Sequence, residues 1–241
     1  MEGKNIIVHG ANHEMSIVSQ KLGKPERIVK SPSGFTSRYT DRETIDIFEM
    51  VYSGVANKRI VEKLHKYGIN ALGLSGLDGK LFVGKRKRYV KIVKDGKTKL
   101  LRDNYTGTIE KTNKELLELL LDNGYTPVIA PPAISFKNEP INVDNDRIIG
   151  ALCKSLDIEI VISLFEAPGL LKDVEDPESL IKTIDKNNLD EYMRYAKGRM
   201  KKKIHHAKEA FENGVTKIIF ADGRTDEPIS KAIDGEGTII H

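Results

Sequence analysis

Tryptophan is absent from this 241-residue chain, and cysteine occurs once. The lone thiol, Cys153, excludes an internal disulfide and suits a reducing, cytoplasmic setting. It lies in the apolar stretch IIGALCKSL, where packing rather than nucleophilic chemistry is its expected role. No run of about 18 apolar residues exists, so no membrane-spanning helix is expected. The basic, apolar and small-residue succession of a signal peptide is also missing at the start. Neither the Walker A nor the GxGxxG fingerprint occurs, so no phosphate loop is legible as a motif.

The remainder has an ordinary globular composition, 39% hydrophobic and 31% charged with a net charge of +4. This length holds one large domain or two joined lobes. Charge is unevenly placed. From Lys85 to Arg102 stand nine basic residues (Lys85, Arg86, Lys87, Arg88, Lys91, Lys94, Lys97, Lys99 and Arg102) against one acid, Asp95. Such a concentration points to an acidic partner.

Strand-like apolar runs alternate with amphipathic segments of helical length. NIIVHG, NALGLSG, TPVIAPPAI, IEIVISLF, TKIIFADG and GTIIH read as strands. Residues 40–68, KTNKELLELLLDNGY, NDRIIGALCKSLD and EYMRYAKGRMKKKIHHAKEAFENG read as helices. That alternation predicts an α/β fold with a mainly parallel sheet. One segment departs from it: RYVKIVKDGKTKLLRDNYTG alternates with period two about Asp95-Gly96 and predicts a protruding β-hairpin that carries the basic run.

Several strands end in glycine-bearing loops, VHGAN, GLSGLDG and LFEAPGLL, where a parallel sheet places ligands. In SRYTDRET, Thr40 and Asp41 are candidate caps of the long helix, and Arg38 stands just before it, able to fork onto a carboxylate. In INVDNDRI, Asn142, Asp144 and Asp146 alternate ahead of a helix, either as an Asx-rich turn or as orienting groups. Three successive lysines in GRMKKKI diverge by about 100° each on a helix, so at most one or two face a site. Adjacent His205 and His206 diverge likewise, which argues against a shared metal.

VHG with a small-residue loop, SGFTSRYTD, NALGLSGLDGKLFVGKRK, YTGTIEKTN, INVDNDR, APGLL, GRMKKKI and FADGRTDEPI occur in the order and spacing of the amino acid kinase superfamily. Most specifically, the chain resembles its acetylglutamate kinase-like branch, and within that the kinases of carrier-protein-dependent lysine biosynthesis. Those enzymes phosphorylate 2-aminoadipate joined to the C-terminal glutamate of a small acidic carrier protein, LysW. The resemblance implies a three-layer α/β/α sandwich, with an acceptor lobe over residues 1–140 and a nucleotide lobe over 141–241. It implies ATP as phosphoryl donor, Mg²⁺ riding on the ATP phosphates without a protein cage, and a homodimer.

Carried over residue by residue, Arg38 matches the arginine that grips the substrate's α-carboxylate, and Asn142 an asparagine of the same pocket. Gly10, Ala11 and Asn12 match the loop that holds substrate and transferring phosphoryl group. Lys203 matches the lysine that neutralises the phosphate, and Asp146 the aspartate that orients the lysines. Phe165, Glu166, Gly169 and Leu170 fall where the nucleotide binds. The ridge of Lys85, Arg86, Lys87, Arg88 and Lys91 would seat the acidic carrier.

Four departures from the pattern are visible. The family's first strand, with its Lys-x-Gly-Gly motif upstream of VHG, is missing here. Retention of Arg38, Asn142, Asp146 and Lys203 favours truncation of an active parent over a degenerate paralogue. VHGA replaces VHGG, adding a methyl where backbone approaches a ligand. Asn145 stands where glycine is usual, and Phe165-Glu166 replaces a small or polar pair. Alternatives to a carrier-linked aminoadipate or glutamate kinase are a free N-acetylglutamate kinase and a ligand-binding subunit without phosphoryl transfer. Nucleic-acid binding is the weakest reading, since no motif accompanies the charge.

Overall fold

The computed structural model describes residues 3–241 apart from 33, 35 and 95. Two compact units, Met1–Ala151 and Leu152–His241, each contain their own sheet. The α/β class and the mainly parallel strand pairing expected from the sequence are both found.

In the first unit β9 (Thr126–Ser135) is the spine, and its apolar run TPVIAPPAIS is buried almost throughout. Strands paired on both edges read this way because neither face reaches water. β1 (Ile7–Val8) and β4 (Ala71–Gly76) flank its first half in parallel. β5 (Phe82–Lys87) pairs in parallel with its second half, and β8 (Thr106–Thr112) lies antiparallel to β5. β10 (Pro140–Ile141) closes antiparallel onto β9. Pro131 and Pro132 stand where β9 changes partners: Ser75 faces Ala130, but Gly76 already faces Ala133. Prolines have no N–H to give a ladder, so the register slips across them.

Helix α1 (Asn12–Lys21) follows β1 after a three-residue loop. Asp41 caps α2 (Arg42–Glu49), accepting from the Thr44 N–H at 2.9 Å and the Thr44 hydroxyl at 2.7 Å. The helix expected over residues 40–68 runs on to α3 (Asn57–Lys66), but Met50–Ala56 between them is π-helical. Such wide turns recur at functional sites. Ala11, Met15, Ile45, Phe48, Val51 and Ala130 form the core beneath, where Phe48 stacks on Tyr52 at 3.9 Å between ring centroids. α4 (Lys114–Asp122), capped by Asn113, buries Leu117, and α5 (Asn145–Ser155) follows β10.

Two antiparallel hairpins complete this unit. β2 (Ile28–Lys30) pairs with β3 (Thr36–Arg38). β6 (Val90–Lys94) pairs with β7 (Lys97–Leu101), with Lys94 opposite Lys97. Gly96 has φ 70°, which suits its glycine. Asp95, its neighbour in the predicted turn, lies outside the described residues.

In the second unit β11 (Ile160–Phe165) and β13 (Lys217–Asp222) run parallel; β14 (Thr238–Ile240) is antiparallel to β13 and parallel to β12 (Thr183–Ile184). The single helix expected over EYMRYAKGRMKKKIHHAKEAFENG is instead α6 (Leu189–Tyr192) and α7 (Arg199–Glu212). Gly198, at φ 53°, sits between them in a conformation that interrupts a right-handed helix. α8 (Pro228–Ile233) packs near β13. Among the described residues no helix is long and apolar enough to cross a membrane.

Candidate active site

The loop leaving β1 brings backbone and side chains of the first unit together. Gly10 is exposed, and a Cβ there would meet the end of the Asn145 side-chain amide at 2.7 Å. With its amide turned to satisfy both groups, Asn145 donates to the His9 carbonyl at 3.2 Å and accepts from the Gly10 N–H at 3.0 Å. Asn145 stands where glycine is usual, yet no positive φ is needed there. It is the first residue of α5, and its side chain ties that helix to the loop.

Ala11 corrects a second expectation. Its methyl is 3% exposed and belongs to the core with Met15 and Phe48. The extra carbon therefore packs inward and leaves the loop's outer surface free. His9 is buried as well. Its Nε2 lies 3.1 Å from the Asn57 amide nitrogen and its Nδ1 3.3 Å from the Gly10 carbonyl. Burial lowers its pKa below the ordinary value, and a neutral ring protonated on Nδ1 satisfies both contacts.

Arg38, at the end of β3, reaches this loop. Its Nη2 donates to Asn12 Oδ1 at 3.1 Å, which also accepts from the Tyr52 hydroxyl at 2.9 Å. Burial raises the Tyr52 pKa, so the phenol keeps the proton it donates. The π-turn between α2 and α3 carries that tyrosine. Arg38 Nη2 also lies 2.6 Å from Glu26 Oε1. The Thr40 hydroxyl donates to the Arg38 carbonyl at 3.3 Å and accepts from the Asn142 amide at 3.1 Å. Asn12, Arg38 and Asn142 thus share one hydrogen-bonded network with Tyr52 and Thr40, Gly10 and Ala11 precede Asn12 in the same loop, and Asp146, half-buried in the first turn of α5, follows Asn145. Glu26 and Tyr52 were not among the sequence candidates. An acid twelve residues before a strand-end arginine, or a tyrosine within a helix, carries no recognisable spacing.

In the second unit Lys203, on α7, donates to Ser163 Oγ at 3.0 Å, and its ammonium lies 5.3 Å from the centre of the Phe165 ring. Phe165 meets Phe220 edge to face at 6.0 Å. Glu166 is exposed. Gly169 and Leu170 pack inward: Leu170 is 1% exposed, and its N–H donates to Thr238 Oγ1 at 2.8 Å. A Cβ on Gly169 would strike that hydroxyl at 2.5 Å. At the exit of β13 Arg224 grips Asp222 through two nitrogens, at 2.8 and 2.6 Å, and holds its carboxyl at about 2.

The basic ridge divides. Lys85, Lys87, Arg88 and Lys91 are exposed, Lys85 beside Glu110 at 3.0 Å. Arg86 turns inward and is 9% exposed, pairing with Glu139 at 2.6 Å, donating to the Asn104 carbonyl at 2.9 Å and lying 3.4 Å from the Tyr105 ring centre. On the hairpin Lys91 stands opposite Leu100, and Val93 opposite Thr98, so these four share one face. Val93 and Leu100 are exposed there. Cys153 is buried, its thiol pushed up to about 11, as the packing role requires.

Residues 2–222 match the amino acid kinase family. A [LysW]-aminoadipate kinase of Thermus thermophilus is 49% identical over 98% of this chain and 89% of its own length. Another of that name, from Deinococcus radiodurans, is 50% identical over 98% and 81%. An acetylglutamate kinase of Methanopyrus kandleri is 35% identical over 98% and 90%. Among solved structures, N-acetylglutamate synthase of Neisseria gonorrhoeae, with coenzyme A and N-acetyl-glutamate, superposes with a TM-score of 0.77 at 21% identity, over 98% of this chain and 51% of its own. Fold and sequence agree: this chain belongs to the amino acid kinase family.

Proposed function

We propose that the chain is an ATP-dependent carboxylate kinase acting on 2-aminoadipate attached to the LysW carrier protein, with carrier-linked glutamate as a second acceptor. The observation that carries this reading is identity near one half, over 98% of the chain, to two proteins named for that reaction. The side-chain carboxylate of the acceptor attacks the γ-phosphorus of ATP in line. The bond to the leaving ADP oxygen breaks, and an acyl phosphate forms. No covalent enzyme intermediate is required, so positioning and charge neutralisation supply the catalysis.

In this reading the first unit binds the acceptor and the second the nucleotide. Arg38 holds the α-carboxylate, with Asn12 and Asn142 beside it. The Gly10 to Asn12 backbone lines the path of the phosphoryl group. Lys203 neutralises the phosphate, and Asp146 orients the lysines. The second unit's fit to a nucleotide rests on paired strand exits, β11 and β13, that converge with an ammonium and an aromatic ring, Lys203 and Phe165. Glu166 and the Gly169–Leu170 backbone would flank the same ligand. Magnesium would come coordinated to the ATP phosphates and neutralise them. Lys85, Lys87, Arg88 and Lys91 would seat the acidic carrier, with Val93 and Leu100 as apolar anchors on the hairpin face. We further assign a cytoplasmic, homodimeric enzyme.

A second reading, a kinase of free N-acetylglutamate, draws on the Methanopyrus relative. The exposed basic and apolar face of the hairpin favours the carrier, because a small metabolite needs no docking surface. A coupled ADP-release assay separates them. Turnover with aminoadipate-charged carrier, and little with free N-acetylglutamate, is the expected result. Turnover with the free metabolite alone would replace the first reading by the second.

A further inference from the structure

The Glu26–Arg38 pair is unusual in what it leaves undone. Both side chains are largely withdrawn from water, 15% and 11% exposed. They approach to 2.6 Å, yet the geometry makes no hydrogen bond through Glu26 Oε1, and Arg38 Nε is also buried without a hydrogen-bond partner. A structural ion pair at this depth normally gains by saturating its hydrogen bonds, since each unmet one costs about 1–3 kcal/mol. Here a carboxylate rests against the guanidinium while part of the fork stays open. The neighbours of that fork are polar and already fixed: Asn12 Oδ1 at 3.1 Å, held in turn by Tyr52. Glu26 lies on the short connection between α1 and β2, outside regular structure, where a side chain can swing without unpairing a ladder.

We propose that Glu26 is a built-in competitor for the acceptor's carboxylate, closing Arg38 in the resting enzyme and leaving it when an acceptor binds. The inference rests on the assignment of Arg38 as the acceptor's anchor. The ligand class is a carboxylate next to an acylated nitrogen, which completes the fork that Glu26 only half fills. One carboxylate then exchanges for another at a single guanidinium, and the apparent affinity is lowered by the fraction of molecules in which Arg38 is closed.

Calorimetry on the full chain with N-acetyl-2-aminoadipate, a carrier-free probe, tests this, with its α-carboxamide analogue as control. Glu26→Gln should tighten binding of the carboxylate about tenfold, corresponding to about 1.4 kcal/mol, and change that of the carboxamide less than about threefold. The ligand-induced rise in Tm should grow correspondingly. If Glu26 merely props Arg38, Glu26→Gln will weaken the carboxylate instead, and that result, or no change, overturns the proposal. Glu26→Asp, which withdraws the charge by one methylene, serves if the glutamine variant folds poorly and should tighten binding in the same direction. Arg38→Ala separates the two layers. Loss of carboxylate binding there without a gain in Glu26→Gln rejects only the competitor, whereas unchanged binding in Arg38→Ala rejects the anchor itself.

Discussion

The side-chain amide of Asn145 spans the peptide between His9 and Gly10, giving a hydrogen bond to one residue and taking one from the other. The first turn of α5, which carries Asp146, is thereby fastened to the loop that lines the proposed phosphoryl path. Asn145→Ala removes both bonds and leaves the Gly10 N–H without its partner. At about 1 kcal/mol per bond, kcat/KM should fall about tenfold or more, while Tm falls by only a few degrees. Steady-state kinetics and a thermal melt on the same preparation check this. A variant with full activity would show that the tether is incidental.

Arg86 should behave as a structural residue despite its place in the basic run. Its guanidinium lies over Tyr105 and pairs with Glu139, and only one edge of the pair reaches solvent. Arg86→Met strands a partly buried Glu139. After discounting for that solvent access, a loss of about 2–3 kcal/mol follows, or a Tm drop of roughly 5–10 °C. Affinity for the carrier should change little in the fraction that stays folded, as titration below the melting range would show.

Reversing Lys87, Arg88 and Lys91 together to glutamate addresses the exposed part of the ridge. KM for the charged carrier should rise tenfold or more, with kcat nearly unchanged and Tm within about 2 °C of wild type. Raising salt should weaken the wild-type enzyme toward the triple variant, because exposed charges are screened within about 10 Å at 0.1 M. An unaltered KM would remove the ridge from the docking surface.

His9 gives the stability a pH dependence of known sign. Burial places its folded pKa below the ordinary 6.5, so the unfolded chain binds the extra proton first as pH falls. Stability from neutral His9 is therefore complete above about 6.5 and is lost on acidification toward the lowered folded value. Protonating Nε2 would also set a donor against the Asn57 amide. Tm measured between pH 7.5 and 5 should fall more steeply for wild type than for His9→Gln, which cannot titrate. Parallel curves would contradict it.

Much of this was legible because local chemistry and tertiary context agreed. Alternation around Asp95-Gly96 predicts the hairpin, and Asp41 caps α2 because a short acidic side chain before a helix meets unpaired N–H groups there. The apolar runs that become β9, β11 and β13 needed no long-range knowledge either. What escaped depends on packing between distant segments. The Ala11 methyl turns to the core because α1 starts there, and Arg86 turns inward because Tyr105 and Glu139 await it. Gly198 looked like a tolerable helix residue until its positive φ separated α6 from α7. Glu26 and Tyr52 reach Arg38 and Asn12 through a loop and a π-turn whose geometry no periodicity announces.

Trapping the product tests the function most directly. The full chain is incubated with ATP, Mg²⁺, aminoadipate-charged LysW and hydroxylamine, and the carrier is read by intact mass spectrometry. An acyl phosphate on the aminoadipate side chain would be captured as a hydroxamate, absent with uncharged carrier and strongly reduced in Lys203→Met. ADP formation without a hydroxamate on the carrier, or equal adduct on uncharged carrier, would contradict carboxylate phosphorylation of the carrier-linked acceptor.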